Sequence, residues 1–184
     1  SSPAVADIDG DGRPEIIFCV NLSDDSMGRV WAVNHDGTLV SGFPFATGAP
    51  GEPSQVTSSP AVGDLDGNGT QEIVMVADRN GGRMYVLAGN GTVVNGWPRT
   101  APAHSGQARV ASPALGDLDG DGYLDIAYPG SDGKLYAYRR DGVQLPGFPA
   151  TFATGLTEAT QSTPAIADLD GDHLLEIVFG DETG

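Results

Sequence analysis

One segment of eighteen residues occurs four times in this chain, and this repetition limits the fold more than any other feature. The copies begin 57, 53 and 51 residues apart. They read SSPAVADIDGDGRPEIIF from Ser1, SSPAVGDLDGNGTQEIVM from Ser58, ASPALGDLDGDGYLDIAY from Ala111 and STPAIADLDGDHLLEIVF from Ser162. A repeat period of about 50 residues is typical of folds built from equivalent stacked units. The sequence therefore predicts a repeat protein.

Each unit has the pattern of short antiparallel strands. In the third unit, the apolar segment SPALGDLD is followed by LDIAYPG, KLYAYRR and VQLPGFPAT, with turns rich in Asp and Gly between them. Such segments, with no stretch of helical periodicity, predict consecutive antiparallel strands. Four strands in about 50 residues are typical of one blade of a β-propeller. We therefore predict an all-β fold made of propeller blades with four antiparallel strands each.

The predicted units divide the chain into three complete blades, at residues 1–57, 58–110 and 111–161, and a partial fourth blade at 162–184. Propellers close with about four to eight blades. We therefore expect the chain to be part of a larger ring, which further blades or self-association with another chain would complete. Small residues such as Ser2 and Ala4 in the first strand suit an innermost position near the crowded axis.

Aromatic residues recur at equivalent positions of the first three units. A shared register predicts that they form a core layer that repeats as the sheets stack. The two sets are Trp31, Tyr85 and Tyr136, and Phe43, Trp97 and Phe148.

Acidic residues recur at fixed positions of the loop between the first two strands of each unit. They occupy positions 1, 3, 5 and 9, and the variable position 7 suits a ligand donated by its backbone carbonyl. Position 6 is Gly12, Gly69 or Gly122, where a sharp turn requires a residue that tolerates positive φ. The predicted metal ligands are Asp7, Asp9, Asp11, Arg13 and Glu15; Asp64, Asp66, Asn68, Thr70 and Glu72; Asp117, Asp119, Asp121, Tyr123 and Asp125; and Asp168, Asp170, Asp172, Leu174 and Glu176.

Hard oxygen ligands in this number favour Ca²⁺ over Mg²⁺ and over metals that prefer nitrogen or sulfur. The loops contain fifteen of the 25 acidic residues, so four bound dications would change the formal charge from -16 to -8. A helical calcium-binding hand would need a bidentate Glu at position 12 and flanking helices, whereas position 12 is apolar in every loop. We therefore predict up to four Ca²⁺ ions, one in each loop.

Two loops depart from this pattern. Asn68 replaces an Asp at position 5, which keeps an oxygen ligand but removes a charge. His173 occupies the glycine position of the fourth loop, where a residue with a side chain strains the turn. We predict that the fourth site is the weakest.

These DxDGDGxxE loops, preceded by SPA and placed between two strands, resemble the FG-GAP and VCBS-type calcium-binding repeats. Such repeats build propellers in integrin α-subunits and in many bacterial surface and secreted proteins. The resemblance implies that the loop residues given above are calcium ligands with a structural role. Calcium at the concentrations found outside cells would fill even weak sites, so we expect an extracellular, cell-surface or periplasmic module for binding or adhesion to a protein or a glycan.

The charge, the length of the apolar runs and the placement of the histidines disfavour several classes of function. A net charge of -16 disfavours binding to nucleic acid and to anionic membranes, and the apolar runs are far shorter than the roughly 18 residues that insert into a bilayer. His35, His104 and His173 are isolated, so no catalytic constellation is visible and we expect a binding module rather than an enzyme. Two alternatives stay open. One is a propeller fragment of a polysaccharide lyase or other secreted enzyme, and the other is a structural spacer.

Strand parity predicts which face would bind a ligand. In an up-and-down blade, the connections from strand two to three and from strand four to the next blade lie opposite the acidic loops. Loops on a rigid scaffold commonly carry binding sites. The candidate residues on that face are His104, Arg109, Asp24 and Asp25.

Overall fold

The computed structural model describes residues 1–21, 28–48, 55–78, 82–101, 111–152 and 162–180. Within these ranges every regular element is a β-strand, and no helix there has the length and apolarity to cross a membrane. The strands are β1 Ala4–Ala6, β2 Glu15–Asn21, β3 Gly28–Val33, β4 Phe45–Ala46, β5 Ala61–Gly63, β6 Glu72–Ala77, β7 Arg83–Leu87, β8 Arg99–Thr100, β9 Ala114–Gly116, β10 Asp125–Pro129, β11 Lys134–Tyr138, β12 Ala150–Thr151, β13 Ala165–Ala167 and β14 Glu176–Val178.

These strands form four antiparallel sheets in chain order. Sheet 1 contains β1–β4, sheet 2 contains β5–β8, sheet 3 contains β9–β12, and sheet 4 is the hairpin β13–β14. The strands on either side of each acidic loop pair in the same register, as Ala4 with Ile17 and Ala61 with Val74 show. The predicted all-β fold of three four-stranded units and a fourth hairpin is confirmed, while the predicted limits of the units stay a prediction.

The outermost strand differs from the prediction. The sequence predicts VQLPGFPAT as one strand, but only Gln144 in its first part pairs, through an isolated bridge to Tyr138, and β12 begins at Ala150. Between these points Gly147 has a φ of 88° and turns the chain, and the following proline has no N–H to donate to a ladder. The equivalent segments of sheets 1 and 2 behave in the same way.

The first strands of successive sheets lie side by side, with β1 against β5, β5 against β9, and β9 against β13. The Ser2 N–H donates to Ser59 Oγ at 2.8 Å, and the Ser59 N–H donates to Ser112 Oγ at 2.8 Å. Small residues permit this approach, since a Cβ on Gly63 would lie 2.9 Å from the Leu115 side chain. The first strand therefore lies where the sheets converge, as predicted for propeller blades.

Sheet 2 is covered on both faces, which explains why β6 is apolar at every position after Glu72. Ile73 and Met75 pack toward sheet 1 in one cluster, whereas Val74 and Val76 pack toward sheet 3 in another. The predicted aromatic layer is only partly buried. Tyr85, Phe43 and Trp97 are buried, while Trp31, Tyr136 and Phe148 are half-buried.

The face of sheet 1 that points away from sheet 2 carries exposed apolar side chains. Ile16 is 46% exposed and Val5 is 65% exposed. Ile73 occupies the position of sheet 2 that corresponds to Ile16, and it is 0% exposed because sheet 1 covers it. Within the described residues, sheet 1 therefore exposes apolar positions that sheet 2 buries.

Candidate metal centres

Each acidic loop brings three carboxylates together. Positions 1, 3 and 9 each supply one oxygen, and in all four loops these oxygens lie within 4.8 Å of one another. Oxygen ligands about 2.3–2.6 Å from one cation are separated by no more than about 5 Å, so this spacing fits a shared ion. The groups are Asp7, Asp9 and Glu15; Asp64, Asp66 and Glu72; Asp117, Asp119 and Asp125; and Asp168, Asp170 and Glu176.

The aspartate at position 1 organises the loop. In the first loop, Asp7 Oδ1 accepts a hydrogen bond from the Gly10 N–H at 2.8 Å, and Asp7 Oδ2 accepts one from the Gly12 N–H at 2.9 Å. Gly12 has a φ of 85°, which confirms the predicted need for glycine at position 6. The same two contacts are made in the other loops by Asp64, Asp117 and Asp168.

The acid at position 9 is the most buried member of each group, and it is the first residue of the second strand. In the first loop Glu15 is fully buried, and its Oε2 accepts a hydrogen bond from the Ile8 N–H at 2.9 Å. Its Oε1 is also buried but has no hydrogen-bond partner among the described residues. A buried carboxylate oxygen without a partner is costly. A cation held with Asp7 and Asp9 would supply that partner, so the residues fit a metal ion.

Burial raises the pKa of the position-9 acids in the first three loops. The backbone hydrogen bond partly offsets this effect, and the neighbouring carboxylates of the loop raise the pKa further. The direction is upward for Glu15 and Glu72, and the pKa of Asp125 rises to about 6. A bound dication would act in the opposite direction because it favours the charged carboxylates.

We expect the metal-free protein to lose stability, on the order of 1–3 kcal/mol, as the pH rises from about 4 to about 6. A carboxyl whose pKa is raised by folding stabilises the folded state while it is protonated. That contribution disappears as the pH rises through the folded pKa, about 6 for Asp125. Saturating metal should reverse the slope, because metal ligands bind deprotonated. Urea unfolding in metal-free buffers across this pH range measures the effect, and a metal-free protein that gained stability there would contradict it.

The residues at positions 5 and 7 of each loop are joined by a hydrogen bond. Asp11 Oδ1 accepts a hydrogen bond from the Arg13 N–H at 2.8 Å, which closes the loop. The carboxylates at position 5 do not belong to the groups of mutually close oxygens. Coordination by position 5 and by the carbonyl of position 7 stays a prediction. The matching contacts in the other loops are those of Asn68 with Thr70, Asp121 with Tyr123, and Asp172 with Leu174.

The fourth loop has the strained turn that the sequence predicts. His173 has a φ of 71°, and its N–H donates to Asp168 Oδ2 at 3.0 Å, as glycine does in the other loops. Its side chain is 95% exposed, so it makes few contacts that would compensate for the strain. The three acids of this loop are also more exposed than those of the other loops.

His173→Gly is therefore expected to stabilise the protein by about 1 kcal/mol, because glycine adopts positive φ without a Cβ clash. The same change should tighten metal binding at the fourth loop several-fold. Calcium titration and urea unfolding measure the two effects. Leu174→Gly is the matched control, because Leu174 is exposed and has a negative φ, and it should bring neither gain. Unchanged binding after His173→Gly would refute this account of the fourth loop.

Two arginines at the third loop were missed by the sequence reasoning. Arg139 Nε donates to Asp119 Oδ2 at 2.9 Å, and Arg139 Nη2 contacts the same oxygen. The Arg140 guanidinium stacks on the Tyr123 ring, 3.8 Å from its centroid, with Nη1 3.8 Å from Asp121 Oδ2. Both arginines follow β11 in the segment KLYAYRR, but the sequence alone does not show which loop they contact.

The turns after β3, β7 and β11 lie on the same side as the acidic loops. Arg13 Nη1 in the first loop is 2.9 Å from His35 Nε2 in the turn after β3. A groove of about 240 Å³ separates the second loop from the turn of sheet 3, and Asp66, Glu72 and Arg140 line it. This arrangement agrees with an up-and-down blade, in which the turn after the third strand lies on the side of the acidic loop. The candidates on the opposite face, His104, Arg109, Asp24 and Asp25, lie outside the described residues.

Comparisons with known proteins agree with the geometry of the loops. The profile of a family described as FG-GAP-like repeat matches residues 7–75, 64–128 and 117–179. Each match runs from position 1 of one acidic loop to position 12 of the next. The chain is also 32% identical over 90 residues to the iron-regulated protein FrpA of Neisseria meningitidis serogroup C. This alignment covers 47% of the chain but 7% of that protein, so the chain corresponds to a small part of its relative.

Proposed function

Because this chain belongs to the FG-GAP-like repeat family, we propose that it is a calcium-stabilised β-propeller module that binds a protein or a glycan outside the cell. The observation that carries the proposal is the buried Oε1 of Glu15, which has no hydrogen-bond partner within the described part of the chain and belongs to a carboxylate group with Asp7 and Asp9. A cation at this point would complete the loop.

The ligand chemistry supports Ca²⁺ as that cation. Three carboxylates meet in each loop, and the residues at positions 5 and 7 would add further oxygens. Ca²⁺ accepts six to eight oxygen ligands in flexible geometry, whereas Mg²⁺ keeps several waters. Calcium at the concentrations found outside cells would fill even sites with a Kd of about 10⁻⁴ M. This supports an extracellular, cell-surface or periplasmic setting.

The ion would act on the fold rather than on a substrate. In each loop the ligands at positions 1 and 3 come from the connection after the first strand, and the ligand at position 9 opens the second strand. A bound ion therefore ties the two innermost strands of a sheet together. It also neutralises carboxylates that would otherwise repel one another in a short loop.

A binding role is supported over catalysis by where the reactive groups lie. The clustered carboxylates of the described residues belong to the metal groups. Of the histidines described, His35 contacts Arg13 and His173 is almost fully exposed in a turn. When the clustered acids bind ions, the loops on the opposite face of the sheets are the ones available to bind a ligand. We therefore assign the ligand site to the face opposite the acidic loops.

Two measurements test this function. Crystals grown with manganese or a lanthanide should show anomalous peaks within the four carboxylate groups, and peaks absent from all of them would overturn the calcium role. Screening against glycans and proteins, with calcium and with EDTA, should show binding without turnover. Depolymerisation of an acidic polysaccharide would instead identify the chain as part of a lyase.

A further inference from the structure

The third loop has a protein cation beside its position-3 carboxylate. Asp119 Oδ2 accepts hydrogen bonds from Nε and Nη2 of Arg139, and Asp119 Oδ1 accepts one from the Asp121 N–H at 3.2 Å. Both oxygens of this carboxylate are therefore engaged. Among the described residues, no lysine or arginine forms an ion pair with Asp9 or Asp66, the position-3 acids of the first two loops.

The sheet register shows that this arginine is specific to the third unit. The bridges from Val33 to Leu39, from Leu87 to Val93 and from Tyr138 to Gln144 align the ends of β3, β7 and β11. Arg139 follows directly after β11, and its counterparts by this register are Asn34 and Ala88. Neither counterpart carries a charge.

A second arginine strengthens the positive charge at the third loop. Arg140 is held against Tyr123, the position-7 residue, with Nη1 3.8 Å from Asp121 Oδ2. Its register counterparts are His35 and Gly89. The third loop thus has two guanidinium groups near acids at positions 3 and 5, and among the residues that the structure describes the first two loops have no such pair of arginines.

We propose that Arg139 weakens calcium binding at the third loop and takes over part of the ion's role when calcium is scarce. The proposal rests on the function of the loops as calcium sites. A guanidinium bonded to a ligand carboxylate lies close enough to a bound dication to repel it, which lowers affinity on the order of tenfold even with the dielectric constant of water. The same two hydrogen bonds hold Asp119 in the loop without an ion. The third site would then respond to calcium at higher concentrations than it would without Arg139.

Glycine amides give a separate readout for each loop in one titration. The N–H groups of Gly12, Gly69 and Gly122 each donate to the position-1 aspartate of their own loop. Their NMR signals should therefore shift as each site fills. We expect Arg139→Gln to lower the calcium midpoint of the Gly122 signal about tenfold and to leave the Gly12 and Gly69 midpoints unchanged. In calcium-free buffer the same variant should speed hydrogen exchange of the Gly122 amide.

Three variants serve as controls. Lys134→Gln makes the same change in net charge at the other end of β11, where Lys134 is 3.5 Å from Asp132, and it should not move the Gly122 midpoint. Arg139→Lys keeps the charge and should keep binding weak. Ala88→Arg places a guanidinium at the position of sheet 2 that corresponds to Arg139. This variant should raise the calcium midpoint of the Gly69 signal.

The outcomes separate this proposal from the calcium function itself. If no glycine signal responds to millimolar calcium in the unmodified protein, the calcium sites fail and this proposal fails with them. If Gly12 and Gly69 respond but the Gly122 midpoint is the same with and without Arg139, only the role of Arg139 is overturned. A Gly122 midpoint that rises in Arg139→Gln would also overturn it, because Arg139 would then position Asp119 for the ion.

Discussion

Removal of calcium is expected to lower the melting temperature of this protein by more than about 10 °C. One site occupied at 100 times its Kd contributes about 2.7 kcal/mol to the free energy of unfolding. For a chain of this size, 1 kcal/mol corresponds to about 2–4 °C. Several loops lose their ions together, and the carboxylates then repel one another beside a buried acid such as Glu15. Thermal unfolding in excess calcium and in EDTA measures the difference.

A pair of variants assigns this effect to the loops. Glu72→Gln removes the charge of a buried position-9 acid, so it should abolish most of one site's share of the calcium-dependent increase in melting temperature. Asp36→Asn removes an acid in the turn after β3, where Asp36 accepts hydrogen bonds from Thr38 and lies outside the metal groups. It should leave the calcium-dependent increase intact. Equal melting temperatures in calcium and EDTA would exclude a structural role for the ion.

Gly96→Ala is expected to cost about 3 kcal/mol or more, whereas Gly147→Ala should cost only about 1–2 kcal/mol. The two glycines occupy equivalent turns of sheets 2 and 3, with φ values of 93° and 88°. Both variants therefore bear the strain of a side chain at positive φ. A Cβ on Gly96 would also overlap the carbonyl oxygen of Asp141, while a Cβ on Gly147 would have no atom of the described residues within 4 Å.

The difference between these variants measures the packing of one sheet against the next. Near the same contact, Trp97 Nε1 donates to the Arg140 carbonyl at 2.8 Å, so a backbone shift that relieved the clash would strain this hydrogen bond. Urea unfolding of both variants in saturating calcium gives the comparison. Equal losses would show that the turns of sheets 2 and 3 do not pack as described.

The acidic loops were predictable from the sequence because their contacts are local. The Glu15 carboxylate and the Ile8 N–H are seven residues apart, and Asp7 and the Gly12 N–H are five apart. Spacing along the chain is then sufficient to bring the groups together. The positive φ of His173 was predictable for the same reason, since the equivalent glycines fix the turn.

The outermost strand was less predictable. The apolar segment VQLPGFPAT has the composition of a strand, yet Gly147 and Pro149 interrupt its pairing. Strand propensity describes the fit of side chains to a pleated surface. It does not report whether each backbone group has a partner in the ladder.

The sequence by itself determined the repeat, the all-β fold and the carboxylate groups, because these depend on the order of residues within one unit. Only the tertiary structure decided which residues of different units and turns meet. Arg139 and Asp119 are 20 residues apart, and Trp97 and Arg140 are 43 apart. Arg139 reaches Asp119 because β9, β10 and β11 pair within one sheet, whereas Trp97 reaches Arg140 because sheet 2 stacks on sheet 3. The contact between this arginine and an acidic loop was therefore visible only in the folded molecule.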